Sequence, residues 1–163
     1  VGYTTVGGDL MGCLAPIANL PKTVVNYLLD YLLSTEHLEG IRETIKVPAS
    51  AELAPSQQDE RDLMPYAVLD ACLALYASEK LSATEIATVL PQLFPEHDAA
   101  TLTAWTNKFV SLFTRSIYKW VQAPLSLHLG NLDLERERAL QLPVVTRSQW
   151  TSPAGGKAET PSG

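Results

Sequence analysis

A glycine-rich stretch near the start of the chain has the composition of a ligand-binding loop that leads into a helix. Gly7, Gly8 and Gly12 permit positive φ angles and a close approach of the main chain to a ligand. Pro21 and Lys22 then suit the first turn of a helix, where unpaired N–H groups and a partial positive charge attract anions. A lysine at that place predicts a phosphate contact. The alternative is an ordinary tight connection into a helix with a solvated lysine.

Other residue types that perform catalysis or bind metals occur without the partners they need. The three histidines lie in separate segments and have no Cys or carboxylate at ligand spacing: His37, His97 and His128. The chain contains no Gly-x-Ser-x-Gly motif that would present a serine nucleophile. The sequence therefore disfavours a structural metal site and nucleophilic catalysis, and we assign no residue to either role.

Charged residues at two further places fit both a structural and a functional interpretation. Asp59, Glu60 and Asp62 are typical of a helix start, where the helix dipole stabilises carboxylates. In a loop that covers a phosphate, the same acids could help to hold a divalent cation. Lys119 lies beside Trp120 near the end of a predicted helix, where a cation also suits the dipole.

The composition indicates one domain with a substantial core. The chain has 163 residues, of which 46% are hydrophobic and 18% charged. No apolar run is long enough to cross a bilayer, and with a net charge of −6 there is no basic block for nucleic acid. Cys13 and Cys72 are too few for a disulfide framework, which favours a reducing, cytoplasmic setting.

Because the chain begins at Val1 without Met, we expect a piece of a longer protein.

Apolar residues recur at helical spacing through most of the chain, so we predict a mainly α fold. Periodicity and capping residues predict helices at 21–33, 36–45, 65–78, 82–90, 99–121 and 133–140. Ser82 and Glu85 have the spacing of a capping box, whereas 47–58 lacks any period and is predicted to be a loop. Apart from an extended piece at 142–145 no strand is predicted, and 151–163 has the composition of a disordered tail. The longest helix carries aromatic residues that we assign to the core: Trp105, Phe109, Phe113 and Trp120.

Several short motifs follow one another in a characteristic order along the chain. They are Gly7-Gly8-Asp9 with Pro16 and Lys22, Pro48-Ala49-Ser50-Ala51-Glu52-Leu53, Gln58-Asp59-Glu60-Arg61-Asp62-Leu63 with Tyr66 and Asp70, and Tyr118-Lys119. This series resembles the C-terminal part of NAD⁺ synthetases over most of residues 3–150. Residues 142–150 look more like the longer, glutamine-dependent bacterial enzymes than the short ammonia-dependent ones. The resemblance implies that the intact protein adenylates the nicotinate carboxylate of deamido-NAD⁺ with Mg-ATP, after which ammonia displaces AMP to give NAD⁺.

The resemblance also implies roles for individual residues. Lys22 and Ser50 match family positions that contact ATP phosphates, where charge neutralisation and positioning promote nucleotidyl transfer. Asp9, Cys13 and Lys119 match positions at the deamido-NAD⁺ site. The chain departs from the short enzymes where these carry a substrate-contacting lysine before the Gly-Asp element and an aspartate after it. Here those positions hold Val6 and Cys13.

Part of the family's catalytic machinery has no match in this sequence. The Ser-Gly-Gly-x-Asp-Ser loop, which binds ATP pyrophosphate and helps to hold Mg²⁺ in the family, does not occur, nor does the glutaminase domain. We therefore expect residues 1–150 to form the helical C-terminal portion of an α/β adenine-nucleotide α-hydrolase-like (N-type ATP pyrophosphatase) synthetase domain, inactive alone and followed by the disordered tail. The expected partners are deamido-NAD⁺, ATP, the missing synthetase half and glutaminase domain, and a second copy of the chain, but neither nucleic acid nor a membrane.

The sequence also allows a second hypothesis, in which the chain is an interaction module and not part of an enzyme. The chain could be a free-standing helical interaction module in which the family motifs have become structural. The upstream coding sequence separates the two hypotheses, because an in-frame Ser-Gly-Gly-x-Asp-Ser would support the synthetase. In the synthetase hypothesis, part of the surface of this chain packs against the missing half. The isolated chain is then expected to expose apolar patches and to self-associate.

Overall fold

Helices dominate the computed structural model, which describes residues 1–8, 10–50, 55–134 and 142. The helices are α1 (Lys22–Ser34), a 3-10 turn (Glu39–Ile41), α2 (Arg42–Lys46), α3 (Asp59–Asp62), α4 (Tyr66–Ala77), α5 (Ala83–Leu93), α6 (Ala99–Arg115) and α7 (Ile117–Trp120). Two short strands, β1 (Leu14–Ala15) and β2 (Leu125–Ser126), form a parallel pair. The prediction of a mainly α chain is confirmed for this part, in which no helix has the length and apolarity to cross a membrane. The predictions for Asp9, the helix from residue 135 onward, residues 143–145 and the tail 151–163 lie outside the described residues.

The core lies between α4, α5 and α6. Phe109 and Phe113 stack with their ring centroids 5.4 Å apart, and Tyr76 of α4 packs edge-on against both at 5.9 and 5.5 Å. Trp120 extends this cluster with an edge contact to Phe113 at 5.3 Å. The aromatic stripe is therefore core, as its spacing predicts, with the two phenylalanines fully buried and Trp105 and Trp120 partly buried.

Side-chain caps fix where α5 and α6 begin. The predicted capping box is confirmed, because Ser82 N–H donates to Glu85 at 2.8 Å and the Ser82 hydroxyl accepts from Glu85 N–H. Asp98 likewise accepts from Thr101 N–H at 2.9 Å. Hydrogen bonds from the hydroxyl and then the backbone N–H of Ser82 lower the pKa of Glu85, and those from Thr101 lower the pKa of Asp98. The predicted end of α5 near residue 90 is wrong, since the helix continues through Pro91 to Leu93. Proline removes a single N–H donor, and Phe94 N–H still bonds Leu90 O at 2.9 Å.

The predicted helix at 99–121 is in fact two helices, and the break between them matters for the site. At Ser116 the backbone leaves helical geometry, and its N–H is shared between the carbonyls of Leu112 and Phe113. Gly2 packs so closely here that a Cβ at Gly2 would lie 2.2 Å from the Ser116 Cβ. The N-terminal segment therefore lies against the break, and α7 turns Lys119 towards that segment.

Helix α1 is less buried than its apolar pattern predicts. No residue of α1 is fully buried, although its large apolar side chains recur at helical spacing. Several of them are exposed on one face: Val24, Tyr27, Leu28 and Tyr31. The predicted exposed apolar surface is thus present on α1.

The predicted helix at 36–45 starts later, as the 3-10 turn that leads into α2, because His37 has a positive φ of 54° that a right-handed helix does not accept.

Candidate functional site

A cavity of about 800 Å³ lies where the N-terminal segment, the start of α1, α4, α7 and the chain beyond α7 meet. Its walls are largely apolar, and its charged lining residues are two lysines and two aspartates: Lys22, Lys119, Asp59 and Asp70. A pocket of this size, apolar with a few convergent polar groups, suits a small organic ligand. The structure thus brings together Lys22 and Lys119, which the sequence places nearly a hundred residues apart.

Lys22 is the first residue of α1 and lies over an aromatic ring. Its Nζ is 6.0 Å from the centroid of the Tyr66 ring, within the range of a cation–π contact. The Tyr66 hydroxyl in turn donates to Asp59 Oδ2 at 3.0 Å, and Tyr66 N–H donates to Glu60 Oε1 at 2.8 Å. Partial burial and the bond to Asp59 raise the pKa of the Tyr66 phenol, which therefore stays protonated as a donor.

The N-terminus of α1 already has an anionic partner. Asp70 Oδ2 accepts from both the N–H and the hydroxyl of Thr23, each at 2.8 Å. Pro21, the residue before the helix, offers no side-chain cap, so a carboxylate from α4 supplies one. The sequence predicts a phosphate contact at this helix start. In the structure both Thr23 donors are used by Asp70, so these two donors are not available to an anion, and the Lys22 side chain is the cation at this helix start.

Lys119 also lines the cavity, and its side chain binds the N-terminal segment. Its Nζ donates to the carbonyl oxygens of Gly2 and Thr4, both at 2.6 Å. Between them, the Tyr3 hydroxyl donates to Asp62 at 3.0 Å and accepts from Gln57 at 2.6 Å. The segment around Tyr3 therefore links α7 to α3 and to the end of the loop before α3.

A buried asparagine holds the chain beyond β2 against the entrance to α1. Asn19 is 6% exposed, and its side chain pairs with the backbone of Leu129 in both directions, at 2.8 and 3.2 Å. Asn19 and both residues of β2 also line the cavity, so this contact and the pairing of β1 with β2 help to form its wall. The sequence carries no local signal for such a pairing, because Asn19 and Leu129 are 110 residues apart.

The other predicted site residues do not line the cavity in the described part of the chain. Ser50 is half-buried in the loop before α3, and the neighbouring Ala49 carbonyl accepts from Asp59 N–H at 3.1 Å, which ties that loop to the site. Cys13 is exposed as a free thiol beside β1. Asp9 lies outside the described residues. The roles of Ser50, Cys13 and Asp9 stay predictions.

Two residues without a role predicted from the sequence, Tyr66 and Asp70, contact the first turn of α1. Two signals for them were available in the sequence: their place in the motif series, and their i, i+4 spacing, which puts both side chains on one helix face. Asp59 also lines the cavity, and its Oδ1 is buried and receives no hydrogen bond from the described residues. A buried oxygen without a donor is costly, so a ligand hydroxyl or N–H at this point would be stabilised.

The described residues do not fit a magnesium site of their own. No three His, Cys, Asp or Glu side chains gather among residues 1–8, 10–50 and 55–134. Mg²⁺ is held by several oxygen ligands, and Asp59 and Asp70 each use an oxygen in hydrogen bonds within the chain. The described residues therefore do not supply a complete set of Mg²⁺ ligands.

The two thiols are expected to differ sharply in reactivity. Cys72 is fully buried on α4, and burial raises the pKa of its thiol to about 12, so it lacks reactive thiolate. In the folded chain a thiol reagent such as DTNB should modify Cys13 rapidly and Cys72 on the order of a hundredfold or more slowly, until denaturant is added. The Cys13→Ser variant is the control and should lose the rapid phase. Equal rates for both thiols under native conditions would contradict the buried position of Cys72.

Known proteins are similar to this chain over most of its length. A sequence profile of the NAD synthase family matches residues 1–109. The glutamine-dependent NAD(+) synthetase of Aquifex aeolicus is 40% identical over 127 residues, and that of Acinetobacter baylyi is 32% identical over 146 residues. These alignments cover 77% and 89% of this chain, but 20% and 25% of the relatives. The matched part of the chain thus corresponds to a fifth to a quarter of the length of these two relatives.

A solved structure agrees with these matches. The crystal structure of a glutamine-dependent NAD(+) synthetase from Cytophaga hutchinsonii superposes with a TM-score of 0.74 at 24% identity, covering 90% of this chain and 22% of that one. This likeness shows a shared fold. The sequence profile and the relatives above 30% identity carry the assignment further: the chain belongs to the NAD synthase family.

Proposed function

We propose that this chain is the C-terminal part of a glutamine-dependent NAD⁺ synthetase, which converts deamido-NAD⁺ to NAD⁺ with ATP. The observation that carries the proposal is the cavity with both Lys22 and Lys119 in its lining, in a chain whose first 109 residues match the family. The relatives are named as glutamine-dependent synthetases and are four to five times longer than the matched region. Their length supports the expectation that the ATP-binding half and the glutaminase domain belong to the same polypeptide.

Within this proposal the two lysines bind different parts of the substrates. Lys22 contacts the ATP phosphates, where its charge offsets the charge that develops as the α-phosphorus is attacked. Lys119 lies at the deamido-NAD⁺ side, where its ammonium group is held in place by two backbone carbonyls. Ser50 supports Lys22 at the phosphates, and Asp9 and Cys13 belong to the deamido-NAD⁺ pocket. The domain expected around them is the adenine-nucleotide α-hydrolase-like fold.

The proposed reaction has two steps. A carboxylate oxygen of deamido-NAD⁺ attacks the α-phosphorus of ATP and releases pyrophosphate, which leaves an acyl adenylate. Ammonia derived from glutamine then attacks the carboxyl carbon, AMP departs with the bridging oxygen, and the nitrogen loses one proton to water as the amide forms. Mg²⁺, bound outside the described residues, would supply charge neutralisation at the phosphates. This chain's own residues bind the substrates and help to exclude water.

An isotope experiment tests the proposal directly. Deamido-NAD⁺ with ¹⁸O in its nicotinate carboxylate is incubated with ATP and glutamine in the presence of the complete polypeptide, and the products are measured by mass spectrometry. We expect NAD⁺ and AMP in equal amounts, with one ¹⁸O in AMP. This chain alone should form no NAD⁺ above background. Formation of ADP, or no NAD⁺ from the complete polypeptide, would contradict the proposal, and the latter would favour the interaction-module hypothesis.

A further inference from the structure

We infer that Tyr66 and Asp70 are positioning residues that aim the Lys22 ammonium group into the cavity. The inference rests on the proposed function for the role of Lys22 at the ATP phosphates, but the positioning itself is a property of this chain. Tyr66 and Asp70 stand one helical turn apart on α4, and Lys22 and Thr23 are the first two residues of α1. Each α4 side chain contacts one of the two α1 residues.

The contact between Asp70 and Thr23 fixes where α1 begins. A single carboxylate oxygen accepts two hydrogen bonds, from the backbone N–H and from the hydroxyl of Thr23, in a partly buried position. Charge-assisted bonds of this kind are shorter and stronger than neutral ones. Because Lys22 directly precedes Thr23, the same contact fixes the Lys22 backbone at the cavity wall.

The contact between Tyr66 and Lys22 restricts the long lysine side chain. An exposed lysine samples many rotamers, and holding its end in one place costs conformational entropy at the moment a ligand binds. The Tyr66 ring offers the ammonium group a favourable surface at 6.0 Å. Rotation of the ring away from Lys22 would break the hydrogen bond between the Tyr66 hydroxyl and Asp59. Lys22 is therefore partly preorganised before a phosphate arrives.

Asp70 has a second consequence, for the way an anion binds. The helix N-terminus of α1 is neutralised by its own carboxylate partner, and the Thr23 donors are used. A bound phosphate cannot use these two donors and therefore depends more strongly on the Lys22 side chain. Changes at Tyr66 should consequently act through Lys22, and they should matter little once Lys22 is removed.

A double-mutant cycle in the complete synthetase tests this dependence. We expect Tyr66→Leu to lower kcat/KM for ATP by about 2- to 30-fold, the range of a cation–π contact. In a Lys22→Ala background the same change should have little further effect. Tyr66→Phe keeps the ring and should restore part of the loss. Tyr27→Leu is the matched control, because Tyr27 is an α1 tyrosine that is 74% exposed and lies away from the cavity lining.

Asp70 is tested by the same measurement. Asp70→Ala should lower kcat/KM for ATP, whereas Asp70→Asn, whose side-chain oxygen can still accept from Thr23, should retain more of it. The inference would be overturned if Tyr66→Leu lowered kcat/KM for ATP by the same factor with Lys22 present and in the Lys22→Ala background. Tyr66 would then act independently of Lys22.

A measurement on this chain itself separates the inference from the proposed function. The ε-methylene protons of Lys22, observed in ¹³C-lysine-labelled chain by NMR, should be shifted upfield by the Tyr66 ring. The shift should disappear in Tyr66→Leu, persist in Tyr27→Leu and weaken in Asp70→Ala. A Lys22 signal that is unchanged in Tyr66→Leu overturns the positioning role even if the complete protein makes NAD⁺. Conversely, a complete protein without synthetase activity contradicts the proposed function while the NMR result still decides the positioning.

Discussion

Under the proposed function, replacing Lys22 by alanine in the complete polypeptide is expected to lower the rate of adenylation about a hundred- to a thousandfold. Loss of one charge-stabilising contact at a developing transition state typically costs roughly 3 to 4 kcal/mol, and this sets the magnitude. One reason is specific to this cavity: the N–H and hydroxyl of Thr23 already bond Asp70, so neither of these donors can replace the missing ammonium group. The rate is measured by pyrophosphate release at saturating ATP.

The fold should hardly change in the same variant. Lys22 is an exposed residue at a helix N-terminus, where a cation is slightly unfavourable, so its loss should shift the free energy of unfolding by a few tenths of a kcal/mol. Lys46→Ala is the suitable control, since Lys46 is exposed on α2 and pairs with its neighbour Glu43. Lys108, another lysine on a helix, is less suitable because its ammonium group contacts the Asp62 carbonyl near the site. Near-normal adenylation in Lys22→Ala would reduce Lys22 to a solvated helix-start residue.

The sequence predicts those parts of the fold whose determinants lie within a few neighbouring residues. Helical periodicity located α1, α4 and α6, and the Ser82 capping box located the start of α5, because these patterns act within a few residues. The break at Ser116 had no such signal. The apolar period continues through it, and the helix ends there where Gly2, more than a hundred residues away, packs against it.

The candidate site was predictable in part, for a similar reason. Lys22 and Lys119 were identified from short motifs, but the contacts that hold them join residues 44 or more positions apart, and their pairing is decided by packing. Asp70 reaches Thr23 across 47 residues, and Lys119 reaches Gly2 across 117. A pattern within one helix shows that Tyr66 and Asp70 share a face. It does not show that the face meets the start of α1.

Replacing Phe109 by alanine is expected to destabilise the fold by about 3 to 5 kcal/mol, as is usual when a large buried aromatic is truncated. Phe109 is fully buried and contacts both Tyr76 and Phe113, so the substitution opens a cavity at the centre of the aromatic cluster. Domains of this size are typically stable by about 5 to 15 kcal/mol, so this variant should lose a large share of its stability. Urea unfolding followed by tryptophan fluorescence measures the change.

Two further variants show whether the loss comes from the core cavity. Phe109→Leu leaves most of the volume filled and should cost less than Phe109→Ala. Leu93→Ala removes a side chain that is 53% exposed at the end of α5 and should change the free energy of unfolding little. The site depends on this core, since α4 carries Tyr76 on its buried face as well as Tyr66 and Asp70 at the cavity. If Phe109→Ala and Leu93→Ala had equal, small effects, the α4–α6 packing could not be what holds α4 in place beneath Lys22.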